Sequence, residues 1–193
     1  MKSIALAVAM FLGATATAAA QQPESPGGDV ALTYHWVRTN TQPGDCGCFD
    51  LNGGGISGSW RFGSRWSAVG EFSEEYAASG PYSGETLRLL SYLGGVRYQL
   101  PRMWLGRAHA LQPFGQVLVG DGHASGALAG AGEGTNAFVA RVGGGLDVPL
   151  KGGLAVRALQ ADYDVTTFAN GVNGHQNNLL LGAGVVYRWS RNK

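Results

Sequence analysis

The run Leu179-Leu180-Leu181-Gly182-Ala183-Gly184-Val185-Val186-Tyr187-Arg188-Trp189 decides how the chain is read. Taken at every second residue, it splits into an apolar row (Leu179, Leu181, Ala183, Val185, Tyr187, Trp189) and a second row holding Gly182, Gly184 and Arg188. A period of two belongs to a strand with two unlike faces, because successive strand side chains point to opposite sides. The parity recurs upstream. Phe138, Ala140, Val142, Gly144, Leu146 and Val148 oppose Val139, Arg141, Gly143, Gly145 and Asp147. Ile56, Gly58, Trp60 and Phe62 oppose Ser57, Ser59 and Arg61, while Trp66, Ala68, Gly70 and Phe72 oppose Ser67, Val69, Glu71 and Ser73. Noisier alternation over Val30–Arg38, Thr86–Leu100, His109–Asp121 and Leu154–Val165 brings the count to eight. One segment conflicts with itself. With Gln160, Asp162 and Asp164 on one row, Arg157 falls on the apolar row, and it is expected at a rim, where a long side chain can carry its charge to water.

The links between these segments are short and long by turns. Gly63-Ser64 and Pro149–Gly153 are tight, and Pro101–Ala108 is moderate. Thr39–Gly53, Ala77–Glu85, Gly122–Thr135 and Thr166–Gln176 are longer and turn-rich. An even strand count, with short turns at one end and long loops at the other, predicts an all-β, eight-stranded antiparallel up-and-down transmembrane β-barrel. Both chain ends then lie on the short-turn, periplasmic side, and the barrel is expected over residues 29–189 with a short tail at 190–193.

A soluble eight-stranded carrier barrel has the same alternation with its apolar row inside. Three features favour the inverse. Charges on the polar rows balance: Arg61, Arg97, Arg141 and Arg188 against Glu71, Asp147, Asp162 and Asp164. Enclosed in a narrow barrel they can pair, whereas an arginine facing lipid costs about 2–4 kcal/mol at mid-membrane. Those rows are also rich in Gly and Ser, which leaves room for arginine side chains in a constricted interior. Aromatics on the apolar rows gather in two sets. Trp60, Phe62, Trp66, Tyr98 and Trp189 fall towards the short turns, and Tyr34, Trp36, Phe72, Tyr76 and Tyr163 towards the long loops, as two headgroup layers demand.

Composition narrows the class further. The chain has 193 residues with 32 Gly, but no G-x-y repeat, so it is not collagen-like. Lys+Arg number 14 and Asp+Glu 13, and without Lys2 the two balance, which offers no footprint for nucleic acid. No 18-residue apolar run follows residue 20, which excludes a helical span there. Met1-Lys2-Ser3, the apolar Ile4–Leu12 and the small Ala18-Ala19-Ala20 read as a signal peptide over residues 1–20, cleaved before Gln21; an uncleaved anchor is the alternative. Residues 21–28 read as a loose Pro/Gly-rich leader.

Gly184, Tyr187 and Trp189 resemble the C-terminal signal recognised by the outer-membrane barrel-insertion machinery, although Ser190–Lys193 follow. Together with Leu159-Gln160-Ala161-Asp162-Tyr163 and Asn178, the stretch is similar to the last two strands of the small outer-membrane β-barrel family typified by OmpA's transmembrane domain and OmpX. The resemblance covers the whole mature chain. It implies a Gram-negative outer-membrane barrel in contact with lipid, carries no catalytic residues, and brings no periplasmic peptidoglycan-binding domain.

A few residues invite chemistry. Cys46-Gly47-Cys48 in an exported chain suggests a disulfide, with free or intermolecular thiols and a metal or redox role as alternatives. His123-Ala124-Ser125, with Glu133, resembles the His-x-Ser plus Glu set of outer-membrane lipid A deacylases, but its Ala/Gly-rich setting reads as a flexible polar loop. His35, His109 and His175 stand alone. Gly53-Gly54-Gly55 and Gly143-Gly144-Gly145 precede no helix and so are not phosphate cradles. The expectation is a non-enzymatic protein without cofactor or metal, serving a structural or surface-interaction role through its loops with an unidentified partner, and not a wide pore. The alternatives are a lipid-modifying outer-membrane enzyme and a lipocalin-like periplasmic carrier.

Overall fold

The computed structural model describes residues 27–39, 50–77, 87–105, 109–126, 135–168 and 174–190. These residues form nine strands: β1 (Gly27–Arg38), β2 (Asp50–Arg61), β3 (Trp66–Ala77), β4 (Leu87–Gln99), β5 (Met103–Leu105), β6 (His109–Gly126), β7 (Thr135–Pro149), β8 (Leu154–Thr166) and β9 (Gln176–Ser190). Every pairing is antiparallel. The order runs β4-β3-β2-β1-β9-β8-β7-β6, and β4 pairs with β6 to close an eight-stranded barrel. The short β5 extends only the foot of β6. Closure leaves no barrel edge, so each strand's backbone donors and acceptors meet a neighbour, the condition for crossing hydrocarbon.

Strand ends differ from the sequence reading in places. β1 starts at Gly27, inside the expected leader, where Gly27 faces Ser190 across the β1–β9 seam. β2 begins at Asp50, and β6 continues to Gly126, so Asp50–Gly53 and Gly122–Gly126 are strand and not loop.

Side chains sort by parity into a wall and a filling. Outward positions are apolar and exposed: Leu32, Ile56, Phe72, Val117, Val119, Val142, Val185 and Tyr187 among them. Inward positions are polar and buried, with Arg97, Arg141 and Arg157 each no more than 2% exposed. A carrier barrel would show the reverse.

Arg157 is where the parity reading is corrected. Between Arg157 and Gln160 strand β8 carries two residues, Ala158 and Leu159, where β9 has only Ala183 between Gly184 and Gly182. This bulge turns both Ala158 and Leu159 outward and shifts the alternation by one residue. Arg157 therefore points inward with Gln160, Asp162 and Asp164, and lies buried in the lumen rather than at a rim.

Candidate functional site

The lumen holds three polar groups, interleaved with two small apolar clusters (Val69, Leu93, Leu118 and Val139; Ala31, Ala155 and Val186), under a larger apolar cap. Nearest the short turns, Arg97 donates from Nη1 to Asp29 Oδ1 at 3.2 Å and from Nη2 to Gln116 Oε1 at 3.0 Å. Ser59 donates to the other Asp29 oxygen at 2.6 Å. Gln116 passes the chain on to Asp162 at 3.1 Å, and Gln160 donates to the same Asp162 oxygen at 2.6 Å. Arg157 then links Gln160 (2.9 Å) to Asp147 (3.0 Å), and Arg188 reaches Asp147 at 2.6 Å. Phe114 stands in the middle. The Arg97 and Arg157 guanidinium carbons lie 4.7 and 4.5 Å from its ring centre, so one ring serves two cations. Gly145 makes room for that ring, since a Cβ there would come within 2.8 Å of it.

A second group is centred on Arg141. It grips Asp164 with two parallel bonds of 2.8 and 2.7 Å, and its remaining nitrogen meets Glu71. The two-pronged geometry suits the planar guanidinium. The third group is His35, wholly buried, with Nδ1 at 2.9 Å from Glu75 Oε1 and Nε2 at 2.7 Å from Thr33 Oγ1. A Cβ on Gly55, which faces Thr33, would stand 2.8 Å from the His35 ring, so glycine is needed there.

Above these, towards the long loops, the filling turns apolar. Val37, Leu51, Ala77, Leu87, Ala124, Ala137, Phe168 and Leu180 form one buried cluster drawn from nearly every strand. Beside it lies a cavity of about 20 Å³, the size of one water, lined in part by Thr166 and Asn178, whose side-chain oxygens are buried without a partner among the described residues.

Seven of the eight charged residues singled out by sequence meet in the first two groups. Arg61 instead reaches Gln99 at the short-turn mouth, at 3.2 Å. Parity reading placed Gln160 on this row but left out Asp29, Glu75, His35, Gln112 and Gln116, which sit on the same inward rows. Polarity alone would have found them had glutamine and histidine been weighed with the charges.

On the wall, Trp60, Trp66, Tyr98 and Trp189 point outward near the short turns, with Trp66 and Tyr98 ring centres 4.8 Å apart. Tyr34, Trp36, Tyr76 and Tyr163 point outward nearer the loops. Phe72 lies mid-strand, 5.2 Å from Tyr92, and not at the loop end. At the loop rim, Arg38 binds Asp50 at 2.8 Å, and Arg88 and Tyr76 both hold Glu74.

The expected Cys46–Cys48 pair and Glu133 lie outside the described residues. His123 and Ser125 do not lie in a loop: both sit on the outward face of β6. No group of three metal-binding side chains occurs among the described residues.

A family model described as outer membrane protein beta-barrel domain matches residues 4–188. Among solved structures, Neisserial surface protein A is 14% identical, with 84% of this chain and 97% of that one covered at a TM-score of 0.63. Ail, the attachment invasion locus protein of Yersinia pestis, is also 14% identical, covering 86% and 99% at 0.58. The N-terminal β-barrel domain of Pseudomonas aeruginosa OprF follows at 14%, 85% and 99%, with 0.50. No curated relative matches the sequence. At these identities the structural likeness concerns the fold.

Proposed function

The chain belongs to the outer membrane β-barrel family, a small barrel of the bacterial outer membrane, and on that premise we propose that it serves a structural and surface-interaction role through its four long loops. The observation that carries this reading is the filled lumen. Charged side chains bonded to one another occupy the lower interior and an apolar cluster the upper one, so the barrel has no wide pore to offer. An eight-stranded barrel is just wide enough for side chains to fill. The buried carboxylates bonded to arginines serve packing, which favours a scaffold over catalysis within the lumen.

Residues 1–20 act as a cleaved export signal, 21–26 as a leader, and 191–193 as a tail. Outer-membrane lipid and, during assembly, the barrel-insertion machinery are then the first partners. The loops narrow the surface partner's chemistry. Residues 39–49, 78–86, 127–134 and 167–175 hold no Lys or Arg, and are rich in Gly, Asn, Ser and Thr. Ail has been solved in complex with the heparin analogue sucrose octasulfate. In this chain the basic residues at the loop rim, Arg38 and Arg88, are each bonded to an acid, so the loops suit a neutral, hydrogen-bonding partner better than a polyanion.

The test is a detergent gel of the outer-membrane fraction, boiled and unboiled, followed by passage over immobilised heparin at low salt. A membrane-borne band that shifts on boiling and is not retained on heparin supports the reading. A soluble protein without a shift removes the membrane role, and salt-sensitive retention removes the neutral-partner assignment.

A further inference from the structure

The two ends of the barrel carry opposite charge, which the net charge of +1 conceals. The long loops at 39–49, 78–86, 127–134 and 167–175 hold Asp45, Glu85 and Glu133 and no Lys or Arg. The connections at the foot, 62–65, 100–108 and 150–153, hold Arg65, Arg102, Arg107 and Lys151 and no Asp or Glu. Arg65 lies between β2 and β3, Arg102 between β4 and β5, and Lys151 in the 3-10 turn between β7 and β8. Given the strand order, these three stand at separate points round the foot.

Their bonding sets them apart from the other arginines. Arg65 donates from Nη1 to the Tyr98 hydroxyl at 3.3 Å. Arg102 donates from Nε to Gln112 Oε1 at 3.3 Å, an oxygen that Arg188 Nη1 also reaches, at 3.4 Å. Lys151 is exposed, and none of the three meets a carboxylate among the described residues. By contrast, Arg38, Arg88, Arg97, Arg141, Arg157 and Arg188 each pair with an acid.

Apolar surface accompanies the unpaired cations. Trp104, two residues from Arg102, and Phe62, three from Arg65, are 68% and 64% exposed, the highest values for large apolar side chains among the described residues. Leu150 and Leu154 bracket Lys151 and are half exposed. Tyr98, which holds Arg65, packs beside Trp66 on the outward wall. A cation next to a large apolar side chain, repeated round the foot, suits neither water alone nor hydrocarbon alone. It suits the boundary of a leaflet, where acyl chains cover the apolar groups and phosphates meet the cations. A water-soluble polyanion would neutralise the charges but leave Trp104 and Phe62 wet.

We infer that the foot of the barrel is a collar for anionic phospholipid headgroups of the leaflet that the short turns meet. The inference rests on the membrane-spanning reading and adds a lipid preference to it. The guanidinium forks of Arg65 and Arg102 match a phosphodiester with paired hydrogen bonds, and Lys151 adds a point charge. A negatively charged surface favours each cation held against it. The loop rim offers no counterpart, because Arg38 and Arg88 are already paired.

The test uses the full chain folded into phosphatidylcholine vesicles with a minority of phosphatidylglycerol, checked by the unboiled gel shift. Trace amounts of each lipid, spin-labelled on an acyl chain, report by electron paramagnetic resonance how much of each is held at the barrel. Phosphatidylglycerol should be held about twofold or more over phosphatidylcholine, with the preference falling as salt is raised. Arg65→Gln, Arg102→Gln and Lys151→Gln together should abolish the preference, while Arg65→Lys with Arg102→Lys should keep it. Equal holding of both lipids by the wild type overturns the inference, and so does a preference that survives in the triple variant. If neither lipid is held at all, it is the membrane-spanning reading that fails, and the collar with it. Retention on immobilised heparin that the triple variant loses comes from the foot and not the loops. Alongside the lipid preference it supports the collar, and without that preference it overturns the lipid assignment in favour of a soluble polyanion.

Discussion

The lower and upper halves of the lumen fill the same narrow tube by opposite means. The lower half holds the charges among two small apolar clusters, and its stability depends on completeness: Arg141 holds two carboxylates, and Asp147 holds two arginines. The upper half is a cluster of small and branched apolar residues capped by Phe168. An apolar filling loses stability in proportion to the volume removed. A charged one fails all at once when a partner goes, because the remaining charge is buried alone. The barrel therefore has a brittle floor and a tolerant roof.

Arg141→Met is the sharpest way to break that contrast. It strands Glu71 and Asp164 and should cost about 3–5 kcal/mol, read by urea unfolding in phospholipid vesicles. Adding Glu71→Gln and Asp164→Asn should recover most of the loss. If it does not, packing and not charge governs the floor. In the roof, Leu180→Ala removes a wholly buried side chain and should cost about 2–5 kcal/mol, with a cavity in the variant's structure as the direct check. Val117→Arg tests the wall. It should cost about 2–4 kcal/mol in a bilayer, and nothing comparable if that face meets water. The smallest effect belongs to Phe114→Leu, which keeps the volume roughly filled but withdraws the ring from Arg97 and Arg157. A loss of about 1–2 kcal/mol is expected, measured by the same unfolding experiment.

How much of this was legible in the sequence follows from what parity can carry. Strand alternation needs no knowledge of partners, so the inward set from Arg61 to Arg188 and the apolar wall could be read from spacing alone. Parity fails where the backbone slips. Ala158 and Leu159 make the bulge in β8, and the only trace of it in the sequence is the odd interval between Arg157 and Gln160. Partner identity lay out of reach because it depends on which strands face across the tube, as with Arg141 and Glu71, on β7 and β3. The strand placement of His123 and Ser125 was hidden for a different reason. The Ala and Gly residues around His123 and Ser125 resemble a loop, yet they are needed inside the strand. Ala124 is wholly buried in the apolar roof, and a Cβ on Gly122 would meet Val139 at 2.8 Å.

The long reach of the lumen contacts also sets a schedule for how the barrel enters the membrane. Arg97 and Asp29 are 68 residues apart, Arg141 and Glu71 are 70, and Arg188 and Gln112 are 76. A hairpin of β1 and β2 entering lipid alone would carry Asp29 without its counterion, and one of β6 and β7 would carry Arg141 unneutralised. Entry of either hairpin alone is therefore penalised, whereas a β7–β8 hairpin carries Arg141 with Asp164 and Arg157 with Asp147. The interior charges thus favour entry of several strands together over entry one hairpin at a time.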